Sequence, residues 1–338
     1  MLCSTTPDDV HSLCAAAVSD RFLQASNRSF AAFGRDEDEA FGESFSFVQL
    51  ADTQFGFMNH DVEWSADVAL SERAVHHINR LRPAFAIVCG DLTNSLVKLT
   101  PDADPAIRTR QVADFKRVYS QLRADVPLVC VCGNHDVGNR PTPASIARYA
   151  ADFGDDFFAF RVRGVACIVV NSNLWGLPAD APLVDQQFVW LEAELARAHA
   201  SHAQHILLFC HHPLFLESVD EPDDSDSFGV THFVENGVTH TLRNGYFHVS
   251  GVHRQRLVAL LTRFGCKLVF TGHWHRNAEI RCPRTGVTVV VTTAVGKQLA
   301  GDSAGLRVVS VTADDVTYPF FSLDELDELE KRDAALQR

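Results

Sequence analysis

Five apolar runs of this chain each end in residues able to ligate a metal ion. FSFVQLAD (45–52) ends at Asp52, with Gln54 two residues on. AFAIVCGD (84–91) ends at Gly90-Asp91. PLVCVCGN (127–134) ends at Gly133-Asn134 and continues into His135-Asp136. HILLFCHH (205–212) ends at His211-His212, and CKLVFTGH (266–273) leads into Trp274-His275. A lone Asp in such a place is usually a helix cap or a turn residue. Five coincident run ends with this chemistry are hard to produce by capping alone.

Carboxylate, amide oxygen and imidazole are ligands for hard and borderline divalent ions. Asp52, Gln54, Asp91 and His275 would fit one ion; Asp91, Asn134, His211 and His273 would fit its neighbour. Asp91 then bridges, which sets the ions about 3.5–4 Å apart. Such a pair lowers the proton affinity of water, so a bridging hydroxide exists near neutral pH and can attack phosphorus in line. The reaction implied is hydrolysis of a phosphoester. His135 is the candidate general acid for the departing alkoxide. Asp136 is the candidate to hold the His135 ring, with a turn cap as the competing reading. His212 could ligate in place of His211, but adjacent strand-end residues point oppositely, so only one fits easily.

Asn94, Asn173 and Arg276 lie in loops after apolar runs, within reach of a substrate, as do Asn171, Arg140 and Gln298. Arg276 carries the fork that clamps phosphate; Arg140 reads as a surface loop residue. Gly90, Gly133 and Gly272 each precede a proposed ligand, where a missing side chain permits close approach. His76, His77, His199, His202 and His205 fall on helical patterns or their ends and read as surface groups.

The elements that must bring these groups together are short strands alternating with amphipathic helices, the pattern of an α/β domain. Phe188, Leu191, Leu195 and Ala198 recur at helical spacing, as do Leu257, Leu260, Leu261 and Phe264. In open α/β sheets ligands bind beyond the carboxyl ends of the strands, where all five ligand groups lie. Late in the chain, 287–295 and 306–314 read as strands closing a second sheet. Residues 1–43 read as a poorly ordered or loosely docked arm, 44–322 as the main domain, and 323–338 as a final helix opened by a Ser322/Glu325 capping box. Residues 217–250 form an insertion that opens on an acidic loop (Glu217, Asp220, Glu221, Asp223, Asp224, Asp226). It reads as a solvated surface segment or, alternatively, a lid.

The 338 residues carry 30 Lys plus Arg against 43 Asp plus Glu, a net charge of −13. That disfavours a backbone-driven nucleic-acid binder and docking on an anionic membrane. No run reaches the roughly 18 apolar residues of a membrane span. The N-terminus lacks the basic start of a secretory signal. Nine cysteines, an odd number scattered through apolar runs, read as buried free thiols in a reducing compartment.

The ordered set D-x-Q, G-D, G-N-H-D, H-x-P and G-H-x-H resembles the calcineurin-like metallophosphoesterase superfamily, whose first block is usually D-x-H. With ADTQFGF, GNHDVGNRPT, GDDFFAF, HHPLFLESVDE and YPFFSLDEL, it is similar to the calcineurin-like phosphoesterase domain-containing protein 1 subgroup, from about residue 30 to the last helix. The resemblance implies a four-layer α/β/β/α sandwich, two mixed sheets flanked by helices, and a site holding two divalent metal ions. It further implies protein serine/threonine phosphatase activity in the cytoplasm, on a phosphorylated protein or a small phosphoester. The ligands it implies are Asp52, Gln54, Asp91, Asn134, His211, His273 and His275, with His135 as acid. Among Mn, Mg, Fe and Zn, the amide of Gln54 favours Mn or Mg at its site. Two other functions fit the same residues: a phosphodiesterase on cyclic nucleotides or nucleotide diesters, and a non-catalytic scaffold with a degenerate site.

Overall fold

Strands that are apolar on both faces need cover on both sides. In the computed structural model, which describes residues 22–33, 40–95, 104–223, 229–235, 238–299 and 301–336, two sheets and two helix layers supply it. The first sheet runs parallel through β3 (Phe45–Leu50), β4 (Ala86–Cys89) and β5 (Leu128–Val131). β14 (Gly305–Val311) adds antiparallel to β3, with β15 (Val316–Thr317) and β16 (Phe320–Ser322) beside β14. The second sheet has the order β1 (Ala25–Ser26), β2 (Ser29–Phe30), β6 (Phe158–Val162), β7 (Val165–Val169), β8 (Ile206–Phe209), β11 (Leu268–Thr271), β13 (Thr288–Val291) and β12 (Ala278–Arg281). Its centre, β7-β8-β11-β13, is parallel.

Alternation along each strand decides which layer a residue joins. Phe47, Ile87, Val129, Phe209, Phe270 and Val290 face inward and pack sheet against sheet. Val48, Leu50, Val88 and Cys130 face outward beneath α1 (Ser65–Leu81), α2 (Pro105–Tyr119), α4 (Pro143–Phe153) and the final helix α7 (Leu323–Leu336), with the four-residue α3 (Asn134–Val137) at the end of β5. Leu208, Val269 and Val289 face the other way, beneath α5 (Pro182–Ala200) and α6 (Gly251–Phe264). The layers are therefore helix, sheet, sheet, helix.

Some elements depart from the sequence reading. The 306–314 run does not close the second sheet; it folds back along β3, because both its faces find apolar cover there. Residues 22–33, part of the expected arm, form the edge strands β1 and β2, with Phe22 and Phe30 buried; residues 1–21 lie outside the described residues. His77 is not a surface group. It is buried and bonds Asp327 of α7 at 2.7 Å, beside pairs from Arg73 to Asp324 and Asp327. The Ser322/Glu325 capping box forms, with Glu325 N–H donating to Ser322 Oγ at 3.1 Å and Ser322 N–H to Glu325 Oε2 at 2.8 Å.

Within 217–250, β9 (Val230–Glu235) and β10 (Val238–Arg243) make an antiparallel hairpin. The acidic loop before it is not wholly solvated. Glu221 is buried and accepts the N–H groups of Leu216, Glu217 and Ser218 at 2.7–2.9 Å; Asp224 and Asp226 lie outside the described residues. Trp274, between two candidate ligands, donates its indole N–H to Thr231 of the hairpin at 3.2 Å.

Candidate metal centre

The loops that carry the candidate ligands leave their strands in an unusual backbone state. Asp52, Gln54, Asp91, His273 and His275 all have positive φ, between 37° and 66°. Each such non-glycine residue costs of order 1–3 kcal/mol and persists only where the surroundings enforce it. Strain at five candidate ligands at once marks the ends of β3, β4 and β11 as a built site.

These ends come from both sheets. Asp52, Gln54, Asp91, Asn134 and His135 follow strands of the first sheet; His211, His273 and His275 follow strands of the second. The sandwich brings them together. Ligand atoms of Asp52, Asp91 and His275 lie within 4.8 Å of one another, and so do those of Asp91, His211 and His273. Asp91 belongs to both groups, as the bridging position requires. His211 Nε2 stands 3.3 Å from Asp91 Oδ2 and 3.0 Å from Asn134 Oδ1; His275 Nε2 stands 3.4 Å from Asp52 Oδ1. The Gln54 side-chain oxygen is buried with no hydrogen-bond partner among the described residues. A buried amide oxygen left unpaired is costly, and a cation would satisfy it.

Each candidate imidazole has one nitrogen on a backbone carbonyl: His211 Nδ1 on Cys89 at 2.9 Å, His273 Nε2 on Tyr246 at 3.2 Å, His275 Nδ1 on Lys297 at 2.5 Å. A carbonyl only accepts, so that nitrogen carries the proton and the other nitrogen of the ring offers its lone pair. Metal-binding histidines are held in this way. The donor set therefore fits a pair of divalent ions. Burial works against charge on His211, but the charges of Asp91 and Asp52 outweigh it and raise its pKa to about 9. Burial likewise opposes charge on Asp91, yet His211, His135 and His273 hold it below the usual carboxylate range.

Packing admits these ligands only because neighbours lack side chains. A Cβ on Gly133 would fall 2.1 Å from Asp91 Oδ1, and one on Gly272 would fall 2.4 Å from Asp52 Oδ2. Each glycine thus makes room for the ligand of a neighbouring strand, not for the ligand that follows it.

His135 sits at the rim, half-buried. Its N–H donates to Asp91 Oδ1 at 2.8 Å, and its ring Nδ1 donates to the Asn94 carbonyl at 2.9 Å. The sequence reading of Asp136 is corrected here. Asn94, not Asp136, holds the ring. Asp136 is turned inward and accepts N–H groups of Gly133 at 2.8 Å and Leu92 at 3.2 Å, tying the loop after β5 to the loop after β4. Asn94 in turn donates its amide to Asp61 at 2.9 Å. Asn173 is buried and donates to Cys132 O and Asn171 Oδ1. Arg276 lies over the Trp274 ring, 4.8 Å from its centre. His212 is not placed with the ligands; its Nδ1 faces Ser172 Oγ at 2.9 Å.

Tyr246 escaped the sequence reading. It lies in the turn Asn244–Tyr246 after β10, its hydroxyl 3.4 Å from Asn134 Nδ2 and its ring 5.1 Å from that of His273. The only available signal was the turn-forming Asn-Gly before it. Phe57 was also missed; its ring packs edge-on between His135 and His275.

A two-sheet α/β sandwich with a dinuclear donor set at its strand ends defines a metal-dependent phosphoesterase. The family profile for calcineurin-like phosphoesterases matches residues 45–277, and the chain belongs to that family. It is 37% identical over 328 residues to the human serine/threonine-protein phosphatase CPPED1, covering 94% of this chain and 96% of that protein. Among solved structures it resembles a dimetal phosphatase from Danio rerio (TM-score 0.53, 14% identity, 83% of this chain and 100% of that one). It also resembles the purple acid phosphatase PPD1 from yellow lupin (TM-score 0.57, 12% identity, 88% of this chain and 54% of that one). These two likenesses show the fold. The chain is a hydrolase of phosphoesters that takes divalent metal ions.

Proposed function

We propose that this protein removes phosphate from phosphoserine or phosphothreonine in proteins, with Asp52, Gln54, Asp91 and His275 holding one divalent ion and Asp91, Asn134, His211 and His273 the other. The observation that carries the reading is the placement of Asp91 within both ligand groups, among imidazoles whose outer nitrogens are fixed on carbonyls. The similarity to a serine/threonine-protein phosphatase along nearly the whole of both chains supports the substrate class. Bound there, the ions supply Lewis acidity at the phosphoryl oxygens and lower the proton affinity of water. The chain's own residues do the rest. His135, its Nδ1–H fixed on Asn94, presents Nε2 outward to deliver a proton to the serine or threonine oxygen as the P–O bond breaks. Arg276, in the loop after β11 with its guanidinium over the Trp274 ring, is our candidate to clamp phosphate. The amide oxygen of Gln54 favours manganese or magnesium at its site. Seven described cysteines are buried free thiols, which supports a reducing compartment and hence the cytoplasm.

The experiment is a rate comparison after reconstitution with manganese, using a phosphoserine peptide, an aryl phosphate, cyclic AMP and an aryl phosphodiester. Faster monoester hydrolysis, lost in Asp91→Asn, supports the reading. Faster diester hydrolysis would overturn it in favour of a phosphodiesterase, and absence of turnover with stoichiometric metal bound would mark a scaffold.

A further inference from the structure

Of the three carbonyls that fix the candidate imidazoles, two belong to the sheets: Cys89 ends β4, and Lys297 lies in the loop after β13. The third, that of Tyr246, belongs to the insertion, at the foot of the β9–β10 hairpin. Tyr246 reaches two ligands of the same ion, one from each sheet. Its carbonyl accepts from His273 Nε2 at 3.2 Å, and its ring centre lies 5.1 Å from that of the imidazole. Its hydroxyl accepts from Asn134 Nδ2 at 3.4 Å, and the Asn139 side chain makes a second hydrogen bond to it. The turn that carries Tyr246 is itself tied to the ligand loop. Trp274, next to His273, donates its indole N–H to Thr231 Oγ1 at 3.2 Å, and Thr231 in turn donates to Asn244 Oδ1 at 2.9 Å. Phe247 adds an apolar contact, packing with Leu216, Leu242 and Trp274. His275, on the other ion, takes its support from Lys297 instead.

A neutral amide binds a cation through its oxygen, so Asn134 can serve in only one of the two orientations of its end group. Its Nδ2 is a donor only. While Nδ2 donates to the Tyr246 hydroxyl, Oδ1 faces His211 Nε2 at 3.0 Å, the lone pair of a ligand to the same ion. We infer that Tyr246 is a positioning residue for the second ion: its hydroxyl orients the Asn134 amide, and through it the insertion sets how tightly that ion is held. The inference rests on the ligand assignment of the phosphatase reading and adds to it an asymmetry between the two ions. Groups one bond removed from a metal change its affinity by about 10–100-fold.

The test is Tyr246→Phe, which keeps the ring and the carbonyl and removes the hydroxyl. Tyr246 is 41% exposed, so the variant opens no cavity in the core, and its Tm in chelator should match that of wild type. Manganese is titrated into both metal-free proteins and followed by electron paramagnetic resonance, which separates a lone ion from a coupled pair. In the variant the first ion should bind as in wild type and the second about tenfold more weakly. Turnover of an aryl phosphate should fall at limiting manganese and return to the wild-type kcat at saturation. Unchanged affinity for the second ion, or equal weakening of both, would overturn the inference and leave the phosphatase reading intact. So would a loss of kcat that saturation does not restore while both affinities hold, since that would put the hydroxyl on the substrate. If wild type itself binds fewer than two ions, the ligand assignment falls and this inference with it.

Discussion

Gly272→Ala tests whether Asp52 is held where a cation needs it. The new Cβ would stand 2.4 Å from Asp52 Oδ2, 2.6 Å from the Ala51 Cβ and 3.1 Å from the Cys89 carbonyl. Ordinary van der Waals contact begins about 1 Å further out. Gly272 does not occupy the left-handed region, so alanine meets no backbone penalty there and space is the only obstacle. Ala51 belongs to the packed face between the sheets, so it and the 272 loop shift only slightly and the Asp52 carboxylate takes the larger move. The Asp52 carboxylate must therefore retreat by about 1 Å, and as it does so it loses the His273 N–H now at 2.9 Å and its 3.4 Å approach to His275. Overpacking of this kind costs about 1–3 kcal/mol of stability. A 1 Å misplacement at a reacting centre costs about 10²-fold in rate. The assay is kcat/KM on an aryl phosphate across a manganese titration, alongside thermal melting. We expect a variant that folds with a lowered Tm, needs more manganese and falls about 10²-fold at saturation. A folded Gly272→Ala protein with wild-type manganese dependence and rate would refute the assignment of Asp52 as a ligand.

Three further outcomes are expected. His135→Gln should slow phosphoserine hydrolysis about 10²–10⁴-fold and slow an aryl phosphate with a low-pKa leaving group far less; equal slowing on both would remove the proton-donor role. Gln54→His should strengthen binding of zinc and iron relative to manganese and magnesium in competition titrations, and unchanged affinity for every ion would show that Gln54 is not a ligand. Asp67 is buried, and burial raises its pKa to about 7 from 3.8. Between those values the folded state holds a proton that the unfolded chain releases, so stability falls as pH rises, by about 4 kcal/mol at most. In chelator, Asp67→Asn should gain Tm relative to wild type between pH 4 and 8; a pH-independent difference would contradict the buried assignment.

The strands were legible because burial on both faces writes itself as an unbroken apolar run. The five runs named at the outset contain β3, β4, β5, β8 and β11. How the strands partition between sheets was not legible. Phe47 and Phe209 look alike in sequence, and only their packing against each other across the sandwich tells that they belong to different sheets. The same blindness misplaced β14, whose apolar alternation fits an edge of either sheet. The two-residue strands β1 and β2 lack the length to give a periodic signal.

The candidate site was legible in its proposed donors and illegible in its supports, and the difference has one physical cause. A ligand needs a particular side chain, so its type is written in the chain. A support such as the carbonyl of Cys89, Tyr246, Lys297 or Asn94 uses only the backbone that every residue carries. Asp136 shows the converse error. Its side chain looks able to hold His135, its neighbour in sequence, yet successive residues of the short helix α3 point about 100° apart, and the carboxylate serves the N–H groups of Gly133 and Leu92. The ring of His135 is fixed instead from 41 residues away. Sequence adjacency predicts which residues enter the site together; their partners inside it are set by the two sheets that close over them.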